Sequence, residues 1–138
     1  MRYLTSLIPV CALLLLPEAS LAAGTQRFDG IWQTTVSCAV ARDALGYSFR
    51  FISTVKEGIL HGLHATAGQP SSLQIDGTIE ADGTGKLYAR GFAGSKEFVP
   101  GRDTPRGTEY GYMLDSRARQ GPAPVSRAAP ARYQFVKQ

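Results

Sequence analysis

The chain predicts an all-β fold: a small antiparallel β-barrel or sandwich of about seven strands, preceded by a signal peptide. Three observations predict it. Apolar and polar residues alternate at period two over most of the chain. Short clusters of Gly, Asp, Ser and Pro separate the alternating runs. No stretch sustains a 3.6-residue apolar period with capping signals, and only Ser37 to Leu45 admits a short helical turn. A sheet of this kind buries one face, and closure is the usual way to remove its edges.

The elements follow in order. In Ile31 to Cys38, Trp32, Thr34, Val36 and Cys38 share one face. In Tyr47 to Val55, Tyr47, Phe49, Phe51 and Val55 share a face, opposed by Ser48, Arg50 and Thr54. Lys56-Glu57-Gly58 reads as a tight turn, from which Ile59 to Ala65 returns. Leu73, Ile75, Gly77 and Ile79 alternate with Gln74, Asp76, Thr78 and Glu80. Asp82-Gly83 then turns the chain, the Asp-Gly pair supplying the positive φ angles of a hairpin, and Lys86 to Phe92 returns. Gly77 marks a bulge or a sharp bend. Ser95 to Gly107 reads as a long loop. Glu109 to Arg117 is a strand with Tyr110, Tyr112 and Leu114 on one face, and Arg132 to Lys137 closes with Tyr133 and Phe135.

Residues 1–22 carry the pattern of a secretory leader: Met1-Arg2, an apolar stretch from Leu4 to Leu16, a break at Pro17-Glu18, and Ser20-Leu21-Ala22 before cleavage. The apolar stretch is shorter than the roughly 20 residues a membrane span needs, so no transmembrane segment is expected in the mature chain. Cys11 lies before the Leu run with Val10 in front of it, which does not fit a lipoprotein site. The expectation is an exported protein, periplasmic or extracellular. Residues 23–138 form a single β domain with a poorly structured Pro/Ala segment near 120–131. Removal of the leader leaves Cys38 unpaired, with no disulfide within the mature chain. The sequence has no Asn, hence no Asn-linked glycosylation site.

Charge balances between Ala23 and Pro100, and the whole net excess of +4 lies beyond Gly101. That placement suits an acidic envelope component such as anionic lipid or polysaccharide, or simply a solvated surface. It is too small for a dedicated nucleic-acid binder, so no nucleic-acid partner is expected.

Candidates for chemistry are few. His61 and His64 stand three apart, so on a strand they point to opposite faces and do not chelate one ion. No nucleophile elbow, phosphate loop, dinucleotide fingerprint or zinc spacing is present. The two Asp-Gly-Thr units, at Asp76 and Asp82, explain turns better than calcium. Cys38 shares its face with Trp32 and Val36, where a free thiol behaves as a small hydrophobe. No catalytic residue, metal or cofactor is therefore assigned. Trp32 and His61 stand as the binding candidates.

Phe28-Asp29-Gly30-Ile31-Trp32 resembles the start of calycin or lipocalin-like barrels. That resemblance implies a Trp32 plugging one barrel end, with Arg132 or Lys137 packed across it by its stem and a cation–π contact. Together with Gly46-Tyr47-x-Phe49-Arg50-Phe51, Gly58-Ile59-Leu60-His61-Gly62, Leu73-x-Ile75-Asp76-Gly77-Thr78-Ile79 and Phe135-Val136-Lys137-Gln138, the motif is similar to a group of short exported bacterial proteins of unknown function. The resemblance implies a second Cys at the last strand, partner to the one matching Cys38. Here Ala128-Ala129-Pro130-Ala131-Arg132 stands there instead. Losing such a bridge costs about 2–5 kcal/mol.

The favoured function is a non-enzymatic binding module for a small molecule, peptide or envelope component. A structural or envelope-stress protein without a ligand is the alternative, and a thiol enzyme using Cys38 the third reading.

Overall fold

The computed structural model describes residues 24–41, 43–99, 104–117, 125–128 and 131–138. The leader at 1–22, with Cys11, lies outside the described residues. The fold is all-β. Eight strands form one antiparallel sheet: β1 Gly30–Cys38, β2 Tyr47–Lys56, β3 Ile59–His64, β4 Leu73–Ile79, β5 Thr84–Phe92, β6 Glu109–Arg117, β7 Val125–Ala128 and β8 Ala131–Lys137. Their spatial order is β6-β5-β4-β3-β2-β1-β8-β7. The added strand is β7. It falls inside the Pro/Ala segment and pairs backbone to backbone with β8, from Val125↔Gln134 to Ala128↔Ala131.

The sheet curls on itself. Its two edge strands, β6 and β7, approach to Cα–Cα separations within 8 Å. Among the described residues no hydrogen-bonded ladder joins them. The concave face is the core. Trp32, Val36, Val55, Leu60, Ile75, Leu87, Leu114, Tyr133 and Phe135 are buried there, on the faces that period-two alternation predicts. At its waist Thr34 and Ser53 are both 0 % exposed, and their hydroxyls hydrogen-bond each other at 2.6 Å. Each thus satisfies the other where water cannot.

The turns divide by chemistry. At the β2–β3 turn both Glu57 (φ 53°) and Gly58 (φ 76°) take positive φ, as a two-residue hairpin demands. At the β4–β5 turn only Gly83 does (φ 86°), so the expected Asp-Gly pair of positive angles is not what forms. Gly83 N donates to Glu80 O at 2.9 Å, and Glu80 N to Thr84 O at 2.7 Å. Asp82 instead uses its carboxylate, accepting from Thr84 N at 2.8 Å and Thr84 Oγ1 at 2.6 Å. A longer turn with Gly at its final position needs one left-handed residue, not two.

Gly77 makes no bulge: the register runs Ile59↔Thr78, Leu60↔Gly77 on one side and Gly77↔Leu87, Thr78↔Lys86 on the other without a skipped residue. A side chain there would collide with Lys86 O and the Leu87 backbone, so the glycine permits close approach. Among the described residues of Ser37 to Leu45, the one segment that admits a helical turn, no helix forms. Ala41 and Ala44 exchange backbone hydrogen bonds as an isolated bridge. Helical residues lie at 24–26, before β1, and a single 3-10 turn spans Lys96–Phe98. Among the described residues no helix is long and apolar enough to cross a membrane.

Candidate functional site

The antiparallel register places opposite strand ends together and gives the curled sheet two unlike ends. One gathers the start of β1, the end of β2, the β2–β3 and β4–β5 turns, and the end of β8. This end is closed. Phe28 and Trp32 fill it, 2 % and 4 % exposed, and Trp32 Nε1 donates to Phe28 O at 2.8 Å. Asp29 reaches across to the β2–β3 turn, where its carboxylate accepts from Glu57 N at 2.9 Å and Gly58 N at 3.2 Å. Lys137 stands beside Trp32 in the β1–β8 register, yet its Nζ donates to Arg27 O at 3.1 Å. Arg27 instead makes a cation–π contact with Phe28, at 4.6 Å from the ring centroid. Arg132 pairs with Ser37, toward the other end. The expected basic residue over Trp32 is thus a backbone tie by Lys137, with Arg27 as the cation.

The opposite end is open and holds a cavity of about 520 Å3. Its walls come from the end of β1, the start of β2, the end of β3 and the start of β6, and Ala131 contributes from β8. Two loops frame the mouth. The segment between β1 and β2 contributes Ala44 and Leu45, and the segment after β5 contributes Phe98 and Val99. Leu45 N donates to Glu97 O at 2.6 Å, which ties the loops together. Phe98 meets Tyr47 edge to face at 5.5 Å. The volume lies within the range of small-molecule sites.

Aromatic side chains line the cavity in two groups. On β2, Tyr47 and Phe49 stack at 6.0 Å and 7°, and His64 from β3 lies on Phe49 at 4.2 Å. On β6, Tyr110 and Tyr112 are parallel to within 6° at 6.1 Å. Gly91 makes room for this second group, because a side chain there would strike the Tyr110 ring. Tyr112 joins its hydroxyl to that of the fully buried Tyr133 on β8. This hydrogen bond spans the concave face near the β6–β7 seam.

Every titratable group in these walls whose proton affinity is shifted is pushed toward its neutral form. Burial raises the Cys38 thiol above its usual value, only partly offset by its hydrogen bond with Tyr47. Burial lowers His64. It raises Tyr47 and Tyr112, and Tyr110 to about 12. Removal from water disfavours the charged form of each. Cys38 is a free thiol, half-buried at the cavity wall, and a raised thiol is a poor source of thiolate.

The two binding candidates read from the sequence lie elsewhere. Trp32 fills the closed end, and neither it nor His61 lines the cavity. His61 sits on the convex face, with Nδ1 2.5 Å from Asp76 Oδ1, and Gln74 Nε2 donates to Asp76 Oδ2 at 2.5 Å. His64 faces the cavity, so the two histidines do lie on opposite faces. Among the described residues no group of three or more His, Cys, Asp or Glu side chains is placed to hold a metal ion. None of the aromatic cavity-lining residues, Tyr47, Phe49, Phe98, Tyr110 and Tyr112 among them, stands among the binding candidates read from the sequence, and His64 stands there only as a rejected metal ligand. The only sequence signal for Tyr110 was the face it shares with Tyr112 and Leu114. No family model matches the chain, and neither a curated protein nor a solved structure is significantly similar to it.

Proposed function

We propose that this protein is a non-enzymatic binding module that holds a small, predominantly apolar molecule in the open end of its curled sheet. The observation that supports this most directly is the cavity of about 520 Å3 with aromatic walls, next to a cluster of buried apolar side chains. A protein with a purely structural role gains from filling such a space, since each unfilled volume forfeits packing contacts. A raised, half-buried Cys38 argues against the thiol-enzyme reading. The leader-like pattern of residues 1–22 supports export, so that the module would act in the periplasm or outside the cell.

The test is a titration with N-phenyl-1-naphthylamine, a neutral dye whose emission rises in apolar surroundings. Saturable binding at one site is expected. Ala131→Phe, which places a ring in the cavity, should weaken it at least tenfold while the circular dichroism spectrum is kept. Undiminished binding by a folded Ala131→Phe variant would move the site elsewhere. Absence of any saturable binding would remove the proposal.

A further inference from the structure

We infer that the cavity selects uncharged aromatic molecules that carry a hydroxyl or carbonyl group, and discriminates against carboxylates of the same ring system. This rests on the reading of the cavity as a ligand site. Among the described residues its lining contains no Asp, Glu, Lys or Arg side chain. A carboxylate moving inside would leave water and meet no cationic side chain among the described residues of the lining, and an uncompensated buried ion is strongly disfavoured. The neutral bias of Cys38, Tyr47, His64, Tyr110 and Tyr112 agrees with that polarity but is not needed for it.

Ring preference comes from the walls. Two aromatic groups, from β2–β3 and from β6, border the same space, and Phe92 and Phe98 add to it. Aromatic pairs gain from offset and edge-to-face geometry beyond the area they bury. The polar requirement comes from the hydroxyls. The Tyr112 hydroxyl is engaged with Tyr133. Tyr110 lines the cavity over Gly91 and is 39 % exposed. Its phenol both donates and accepts, so it suits a ligand hydroxyl or carbonyl.

Calorimetry on the full chain at neutral pH, with 2-naphthol, 2-naphthoate, 1-decanol and decanoate as probes, tests the inference. 2-Naphthol should bind at least tenfold more tightly than 2-naphthoate and more tightly than 1-decanol. Tyr110→Phe should lower 2-naphthol affinity several-fold with little change for naphthalene itself. Thr108→Lys, at an exposed position on the rim, should narrow the naphthol-to-naphthoate ratio by supplying a cation. Equal or tighter 2-naphthoate binding overturns the charge selection. Tighter 1-decanol binding overturns the ring preference. Failure of all four probes to bind overturns the cavity reading itself, not the selectivity.

Discussion

The two ends of the curled sheet are built by the same strands, yet one is sealed and the other is not. At the closed end the chain before β1 folds back into the sheet, bringing Phe28 under Trp32 and Asp29 onto the β2–β3 turn. At the open end the corresponding chain, between β1 and β2 and after β5, stays at the rim. Phe98 meets Tyr47 from the side and Leu45 is tied to Glu97, and both side chains are exposed, so among the described residues neither loop drops a large side chain into the centre. What separates plug from pocket is therefore where connecting segments place their apolar residues.

The contrast can be broken from the closed side first. Trp32→Ala should cost about 3–5 kcal/mol in urea denaturation, the range for truncating a large aromatic residue in a filled core. Phe49→Ala should cost clearly less, because Phe49 is only partly buried beside space that is already empty. Equal losses would mean that the open end is filled in solution. Asp29→Ala should have a smaller effect, about 1–2 kcal/mol for two charge-assisted hydrogen bonds to backbone amides. Faster hydrogen exchange at Glu57 and Gly58 would locate the damage at the turn.

The smallest effect belongs to His64 and to pH. Its proton affinity is lowered in the folded chain, where it stacks on Phe49 near Phe51, with the Cys38 and Tyr47 groups on the same wall. Below about pH 6.5 the unfolded chain takes up this proton while the folded chain does not. In that window the unfolded state binds more protons, so stability falls as pH falls, until the folded His64 is protonated too. Denaturation midpoints measured from pH 7.5 to 5 should decline less steeply in His64→Gln. An unchanged slope would mean that His64 is better solvated than its stacking implies.

Much of this architecture was legible because strand periodicity is local. Trp32, Thr34 and Val36 point inward, and His61 and His64 point apart, for the same period-two reason. The Glu109–Arg117 strand has the bounds its alternation marks. Other features depend on distant partners and left little local trace. Asp29 acts on a turn 28 residues away. Gly77 meets the backbone of the neighbouring strand, which cannot be told from a bulge in the sequence alone. The strand Val125–Ala128 lies among prolines, and its pairing with β8 supplies what its composition does not advertise. The cavity was least legible. Alternation says which residues face inward, but whether inward residues fill the interior depends on what meets them across it.

One arrangement has an optical consequence. The sequence contains a single tryptophan, and it is the plug of the closed end. Its indole is dry and hydrogen-bonded to a carbonyl, so native emission should be shifted to the blue and move red when the plug is released. Excitation at the red edge of the absorption band reaches this indole and no tyrosine, so its emission watches the sealed end alone. The chain thus carries its own optical report of when that end comes apart.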